Sequence, residues 1–111
     1  MESDLKQRLS KLSMYERAIL MFCLRAYFNS GNYTNRLPLA EMLPDMAAMF
    51  DAAPKVNVFA KLADLQMAVT GDQSKTVKVF DSMTYDPKTR ELVTVLNQQA
   101  DLNALQKIVE G

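Results

Sequence analysis

Leu5, Leu9 and Leu12 stand four and three residues apart behind Ser3, so the chain is expected to open with an amphipathic helix capped by that serine. Ser13-Met14-Tyr15-Glu16 then has the form of a capping box. Its serine hydroxyl and its glutamate carboxylate each satisfy a backbone N–H at the start of a new helix. That helix is expected from Met14 to about Phe28. Ile19, Phe22, Cys23, Ala26 and Tyr27 trace one apolar stripe, while Leu20, Met21, Leu24 and Phe28 make the opposite side apolar too. A helix apolar nearly all round is central to a core or buries its second face in a partner. Asn29-Ser30-Gly31-Asn32 ends it, with Gly31 or Asn32 as a left-handed cap.

Tyr33–Leu37 reads as a polar connection. Pro38 and Pro44 suit first-turn positions and predict two short helical pieces, Leu39–Leu43 and Asp45–Asp51, or one kinked helix. Met42, Met46, Met49 and Phe50 form an apolar stripe there. Pro54 opens a further predicted helix, Lys55–Val69, in which Val58, Phe59, Leu62, Leu65 and Val69 follow a 3.6-residue period. Gly71-Asp72-Gln73-Ser74 breaks it. A strand is expected from Lys75 to Tyr85, with a β-bulge near Phe80–Asp81 because Val77 and Val79 share a face and Phe80 follows at once. A second strand covers Glu91–Asn97. The intervening Asp86-Pro87-Lys88-Thr89-Arg90 fits a type I turn with Pro87 at its second position. Asp101 caps a last helix whose Leu102, Leu105, Ile108 and Val109 face one way. This order predicts an α+β, winged-helix-like fold, mostly helical with one β-hairpin in the C-terminal half and a final helix. It is expected to be one domain over residues 1–111.

Composition narrows the chemistry. There is no histidine, which removes the commonest general base and metal ligand. The one cysteine, Cys23, excludes an internal disulfide and falls in an apolar helical run, where a buried thiol is expected. Asp64, Asp72, Asp81, Asp86 and Glu91 occupy polar-patterned positions or turns and read as solvated surface. Thr70-Gly71-Asp72 lacks the glycine spacing of a phosphate loop. No enzyme, cofactor or metal site is expected. The acidic start Met1-Glu2-Ser3-Asp4 is unlike a secretory leader, and the apolar run Ala18–Leu24 is too short to span a bilayer, so a cytoplasmic protein without a membrane partner is expected.

Formal charge is zero but unevenly placed. Lys6, Arg8, Lys11, Arg17, Arg25 and Arg36 outnumber Glu2, Asp4 and Glu16 in the first 36 residues, and residues 37–53 hold only Glu41, Asp45 and Asp51. Nucleic-acid domains usually carry a clear basic excess, and this chain lacks one. The candidate nucleic-acid contacts are Lys55, Asn57 and Lys61 on the predicted recognition helix, Lys75 and Lys78 on the first strand, and Lys88 and Arg90 at the hairpin tip. The last four are expected to gather on one wing, interleaved with Asp72, Asp81, Asp86 and Glu91. The candidate partner or dimer surface comprises Leu20, Met21, Leu24, Phe28, Met42, Met46 and Met49.

Leu12-Ser13-Met14-Tyr15-Glu16-Arg17-Ala18-Ile19-Leu20 resembles the opening helix of the first winged-helix domain of plasmid replication initiators of the iteron-binding Rep type. Leu37-Pro38-Leu39-Ala40-Glu41-Met42-Leu43 looks like that domain's second helix. Thr84-Tyr85-Asp86-Pro87 through Glu91-Leu92-Val93-Thr94-Val95-Leu96-Asn97 is similar to its wing and to the segment leading into its last helix. The resemblance implies a dimerising domain that touches double-stranded DNA weakly, the main iteron contacts falling to a second winged-helix domain. Two departures stand out: the helix before the wing is poorly basic, and Pro44 and Pro54 crowd the helix-turn-helix region. Two functions are therefore expected to compete. One is a small dimerising winged-helix-like protein in plasmid or phage DNA replication or transcription control. The other is a protein–protein adaptor or inhibitor that binds through an apolar helical surface.

Overall fold

The computed structural model describes residues 2–52 and 59–110. Its first two helices, α1 (Glu2–Ser10) and α2 (Met14–Ser30), meet at the predicted capping box. Ser13 Oγ accepts from the Glu16 N–H at 3.1 Å and Glu16 Oε1 accepts from the Ser13 N–H at 3.1 Å. Leu5, Leu9 and Leu12 are buried in the common core, and Arg8 Nη1 ties α1 to the Gln66 carbonyl at 2.9 Å. Gly31, at φ 77°, closes α2 through a bond from its N–H to the Tyr27 carbonyl. Only a residue without Cβ takes that conformation at no steric cost.

The segment read as a polar connection contains a strand, β1 (Thr34–Leu37). It is followed by α3 (Leu39–Met42) and α4 (Pro44–Ala52), the two short helical pieces expected around Pro38 and Pro44. The predicted helix over Lys55–Val69 is corrected. Its first residues lie outside the described residues; of the remainder only α5 (Ala60–Ala63) is helical, and β2 (Gln66–Val69) is a strand. Leu62 and Leu65 are both buried, but from a helix and from the turn after it, so their three-residue spacing mimicked a helical stripe.

The single long strand expected from Lys75 to Tyr85 is two, β3 (Asp72–Lys78) and β4 (Phe80–Asp86), in different sheets. Val79 is the crossing point. Its N–H donates to the Leu65 carbonyl at 2.9 Å and its carbonyl accepts from the Asn97 N–H at 2.8 Å, with the side chain fully buried. The bulge expected at Phe80–Asp81 is present: Phe80 pairs with Leu96 and Ser82 with Val95, leaving Asp81 without an opposite number. β5 (Glu91–Leu96) is central to an antiparallel sheet of order β1-β5-β4, while β2 and β3 form a separate antiparallel pair. The expectation of one β-hairpin is thus corrected to two hairpins plus β1. The final helix, α6 (Leu102–Glu110), starts under the predicted cap, with Asp101 Oδ1 accepting from the Ala104 N–H at 3.2 Å.

The outcome is an α+β fold. Leu92, Thr94 and Leu96 alternate toward the core from β5, and α2 crosses their face with Ile19, Leu20 and Cys23 fully buried. Burial of an aliphatic side chain of this size contributes about 1.5–3 kcal/mol, so this α2–sheet contact is the mechanical centre of the fold. No helix among the described residues is long and apolar enough to cross a membrane.

Candidate interaction surface

One face of α2 does not enter that core. Met14, Arg17, Met21, Arg25 and Phe28 recur at intervals of three, four, four and three, which places them on a single side of the helix. Met14 is 80% exposed, and Tyr15 and Phe22, just beside the stripe, are each 40% exposed. Large apolar side chains gathered on a solvent-facing surface are the informative exception in a folded protein, whereas scattered ones are ordinary.

Arg17 and Met21 of this stripe, with Leu20, form one wall of a groove of about 410 Å³ between α1, α2 and α6. Leu9 and Leu20 close its floor, and Met21, Ile108 and Val109 line it half-buried. Lys6, Ser10 and Arg17 stand at its rim. The last turn of α6 creates the apolar side: Leu102 and Leu105 reach the core, while Ile108 and Val109 extend past it. None of the lining side chains is acidic among those the structure describes, which leave out Glu2, Asp4 and Glu110.

Glu16 explains why α2 presents cations but no anion here. It is the only acid in the helix and is 4% exposed. Its second oxygen, Oε2, accepts from the backbone N–H of Leu62 at 2.7 Å. One carboxylate therefore satisfies N–H groups at the starts of both α2 and α5, and the exposed side of α2 keeps only Arg17 and Arg25. Neither makes an ion pair among the described residues.

The cations expected on one wing are divided. Lys75 and Lys78 belong to β3 in the two-stranded sheet, whereas Lys88 and Arg90 sit at the β4–β5 turn of the other. Three of the four face acids: Lys75 lies 4.0 Å from Asp72, Lys78 3.4 Å from Asp64, and Arg90 2.8 Å from Asp51. The crossing at Val79, invisible to an alternation pattern, is the reason. Lys61 lies on α5, with Nζ donating to the Lys11 carbonyl at 3.3 Å. Lys55 and Asn57 lie outside the described residues.

The turn itself is well fixed. Asp86 Oδ1 accepts from the Lys88 N–H at 3.0 Å, and that bond is the main reason the Asp86 carboxyl is held below its ordinary range. Arg90 takes a left-handed φ of 56°. Asp51 joins the turn to α4 by accepting from the Tyr85 hydroxyl at 2.9 Å, and the Tyr85 ring stacks on Phe50 with centroids 4.7 Å apart. Burial first, and then that bond, push the Tyr85 phenol upward.

Of the residues expected to face a partner, Leu20, Leu24 and Met46 are buried within the chain itself. The interior of the fold, not a partner, covers that side of α2. Met21, Phe28 and Met42 are half-buried, and Met49 is 48% exposed. Phe22, expected in one apolar stripe with Ile19 and Cys23, is 40% exposed, and Met14 and Tyr15 carry no mark in the sequence, because a helix apolar on both sides does not announce which side the core takes. Cys23 is buried against Thr94 Oγ1 at 3.4 Å, and burial pushes its thiol up to about 11. Comparison with protein-family models, curated proteins and solved structures finds no match for this chain.

Proposed function

We propose that this is a non-enzymatic protein-interaction module on a winged-helix-like scaffold, and that it engages its partner through α2 and the adjoining groove. The scaffold reading is supported by α2, β1, α3 and α4 preceding the β4–β5 hairpin, with β1 pairing to its second strand, although α5 and the β2–β3 hairpin stand between α4 and β4. The observation that carries the function is the open, cation-bearing outer side of α2, where Met14 is exposed and Arg17 and Met21 enter the groove, with Tyr15 and Phe22 exposed on the flank of the helix away from it.

Charge placement weighs against reading DNA as the main partner. The helices between β1 and the β4–β5 hairpin stand where such a scaffold places its recognition helix. There α3 and α4 carry Glu41, Asp45 and Asp51 and no cation, and α5 adds Lys61, whose Nζ donates to the Lys11 carbonyl. Carboxylates repel phosphates, and base readout leans on Arg, Lys, Asn and Gln. The hairpin tip offers Lys88, while Arg90 is engaged by Asp51.

The test is affinity capture from the cells that express the chain. Wild type is compared with Met14→Asp/Phe22→Asp and with the far-side control Lys75→Glu. A partner retained by wild type and control but lost from the double variant supports the reading. Equal retention by all three, or a low-salt gel shift of duplex DNA with no protein captured, refutes it. Sedimentation across a concentration series shows whether the partner is a second copy.

A further inference from the structure

Resting on that reading, we infer that the occupant of the α1–α2–α6 groove is an acidic amphipathic helix of a partner protein. Three features of the groove select this chemistry. Its floor and inner walls are aliphatic, so the face that enters must be apolar. Its rim offers Lys6 and Arg17, with Arg25 two turns further along α2, and none of the three is ion-paired among the described side chains, which do not include those of Glu2, Asp4 and Glu110. Carboxylates flanking an apolar stripe would meet these cations, whereas lysines or arginines in the same places would face like charge. The third feature is length. On α2 the groove wall itself runs from Arg17 to Met21, and the outer side of the helix continues it in both directions from Met14 to Phe28, ~21 Å at 1.5 Å per residue, a face long enough to seat about four turns of helix.

The other occupants fit less well. A second copy could offer its own acidic helices, α3 and α4, but these are four and nine residues long and are broken at Pro44. Met49 is their one largely exposed large apolar side chain among the described residues. A phosphate backbone would answer the cations but leave Met21, Ile108 and Val109 facing a hydrated polyanion. A lipid surface favours a protruding apolar face over one recessed between three helices.

The probes are two fluorescein-labelled helical peptides of about 16 residues. Both carry leucines three and four apart; one has glutamates flanking that stripe and the other has lysines. Each is titrated by fluorescence anisotropy against wild type and against Lys6→Glu/Arg17→Glu, two exposed positions whose exchange leaves the core intact. Wild type is expected to bind the acidic peptide about tenfold more tightly than the basic one, from two to three rim ion pairs of modest strength. The double variant is expected to reverse that order. Raising salt from ~0.05 to ~0.5 M should weaken the acidic peptide several-fold. Equal binding of the two peptides, no binding of either up to ~1 mM, or a preference left unchanged by the charge reversal overturns the inference. So does tighter binding of a 20-base-pair duplex or of phosphatidylserine vesicles than of the acidic peptide. If the peptides fail while captured protein is still lost on Met14→Asp/Phe22→Asp, the interaction reading stands and only the nature of the occupant falls.

Discussion

Replacing Glu16 by alanine removes two bonds made by one buried carboxylate, to Ser13 N at 3.1 Å and to Leu62 N at 2.7 Å. The first is half of a capping box, and losing such a cap costs about 1 kcal/mol. The second leaves the buried Leu62 N–H without its acceptor, which costs about 1–3 kcal/mol. Together they set an expected loss of roughly 3 kcal/mol, a large share of a domain stability of about 5–15 kcal/mol. Glu16→Gln keeps the shape but not the chemistry. Its single carbonyl oxygen serves one N–H while its amide nitrogen opposes the other, so a loss of about 2 kcal/mol is expected. Ser13→Ala, which breaks only the reciprocal cap, is expected to cost about 1 kcal/mol. Urea unfolding followed by circular dichroism gives these differences, provided the denaturant slope is unchanged. Amide hydrogen exchange supplies the local readout: Leu62 should lose protection in Glu16→Ala and keep it in Ser13→Ala. A Glu16→Ala protein within ~0.5 kcal/mol of wild type, or an unchanged Leu62 amide, would refute the claim that this carboxylate ties α2 to α5.

Three further outcomes follow from particular contacts. Cys23 holds its proton up to about 11 in the folded chain against an ordinary 9.0, so the unfolded chain loses the proton first as pH rises. Stability is therefore full below pH 9.0 and falls toward about 11 by roughly 2–3 kcal/mol, a fall that Cys23→Ala should lack when unfolding is measured across that window. At pH 8 the same shift should slow alkylation of the native thiol at least ~100-fold relative to the urea-unfolded chain, measured by mass spectrometry with iodoacetamide. At the hairpin tip, Arg90→Gly relieves a left-handed conformation worth about 1 kcal/mol while losing an exposed ion pair to Asp51. It should be near neutral alone and stabilising by about 1 kcal/mol in an Asp51→Ala background; destabilisation in both backgrounds would contradict this. Asp51→Ala should also lower the titration of the Tyr85 phenol, followed by ultraviolet absorbance, because it removes an anionic acceptor of the hydroxyl.

Local rules carried the sequence reading where the chemistry is local. The capping box at Ser13 and Glu16, the left-handed Gly31, the prolines that open α3–α4, the turn at Pro87 and the cap at Asp101 all depend on residues within four positions of one another. Features fixed by distant partners were hidden. Thr34–Leu37 has no alternation to mark it as a strand, and its pairing with Leu92–Val95 supplies what the segment lacks. Gln66–Val69 is held extended by β3, although Leu62, Leu65 and Val69 copy a helical period. The crossing at Val79 divides cations that a linear reading gathers, and the second bond of Glu16 spans 46 positions. The same logic governs the candidate surface. Sequence marks α2 as apolar on two sides, but only the tertiary packing that buries Ile19, Leu20, Cys23 and Leu24 leaves Met14, Tyr15 and Phe22 to the solvent.

Site-specific photo-crosslinking inside the expressing cells tests the central claim most directly. A benzophenone amino acid is placed at position 21 in the groove and, in a parallel strain, at position 88 on the hairpin tip. The expected result is a protease-sensitive, nuclease-resistant adduct from position 21 that disappears with Met14→Asp/Phe22→Asp, and none from position 88. A nuclease-sensitive adduct from position 88, with no adduct from position 21, would contradict the claim that α2 and its groove are the binding face.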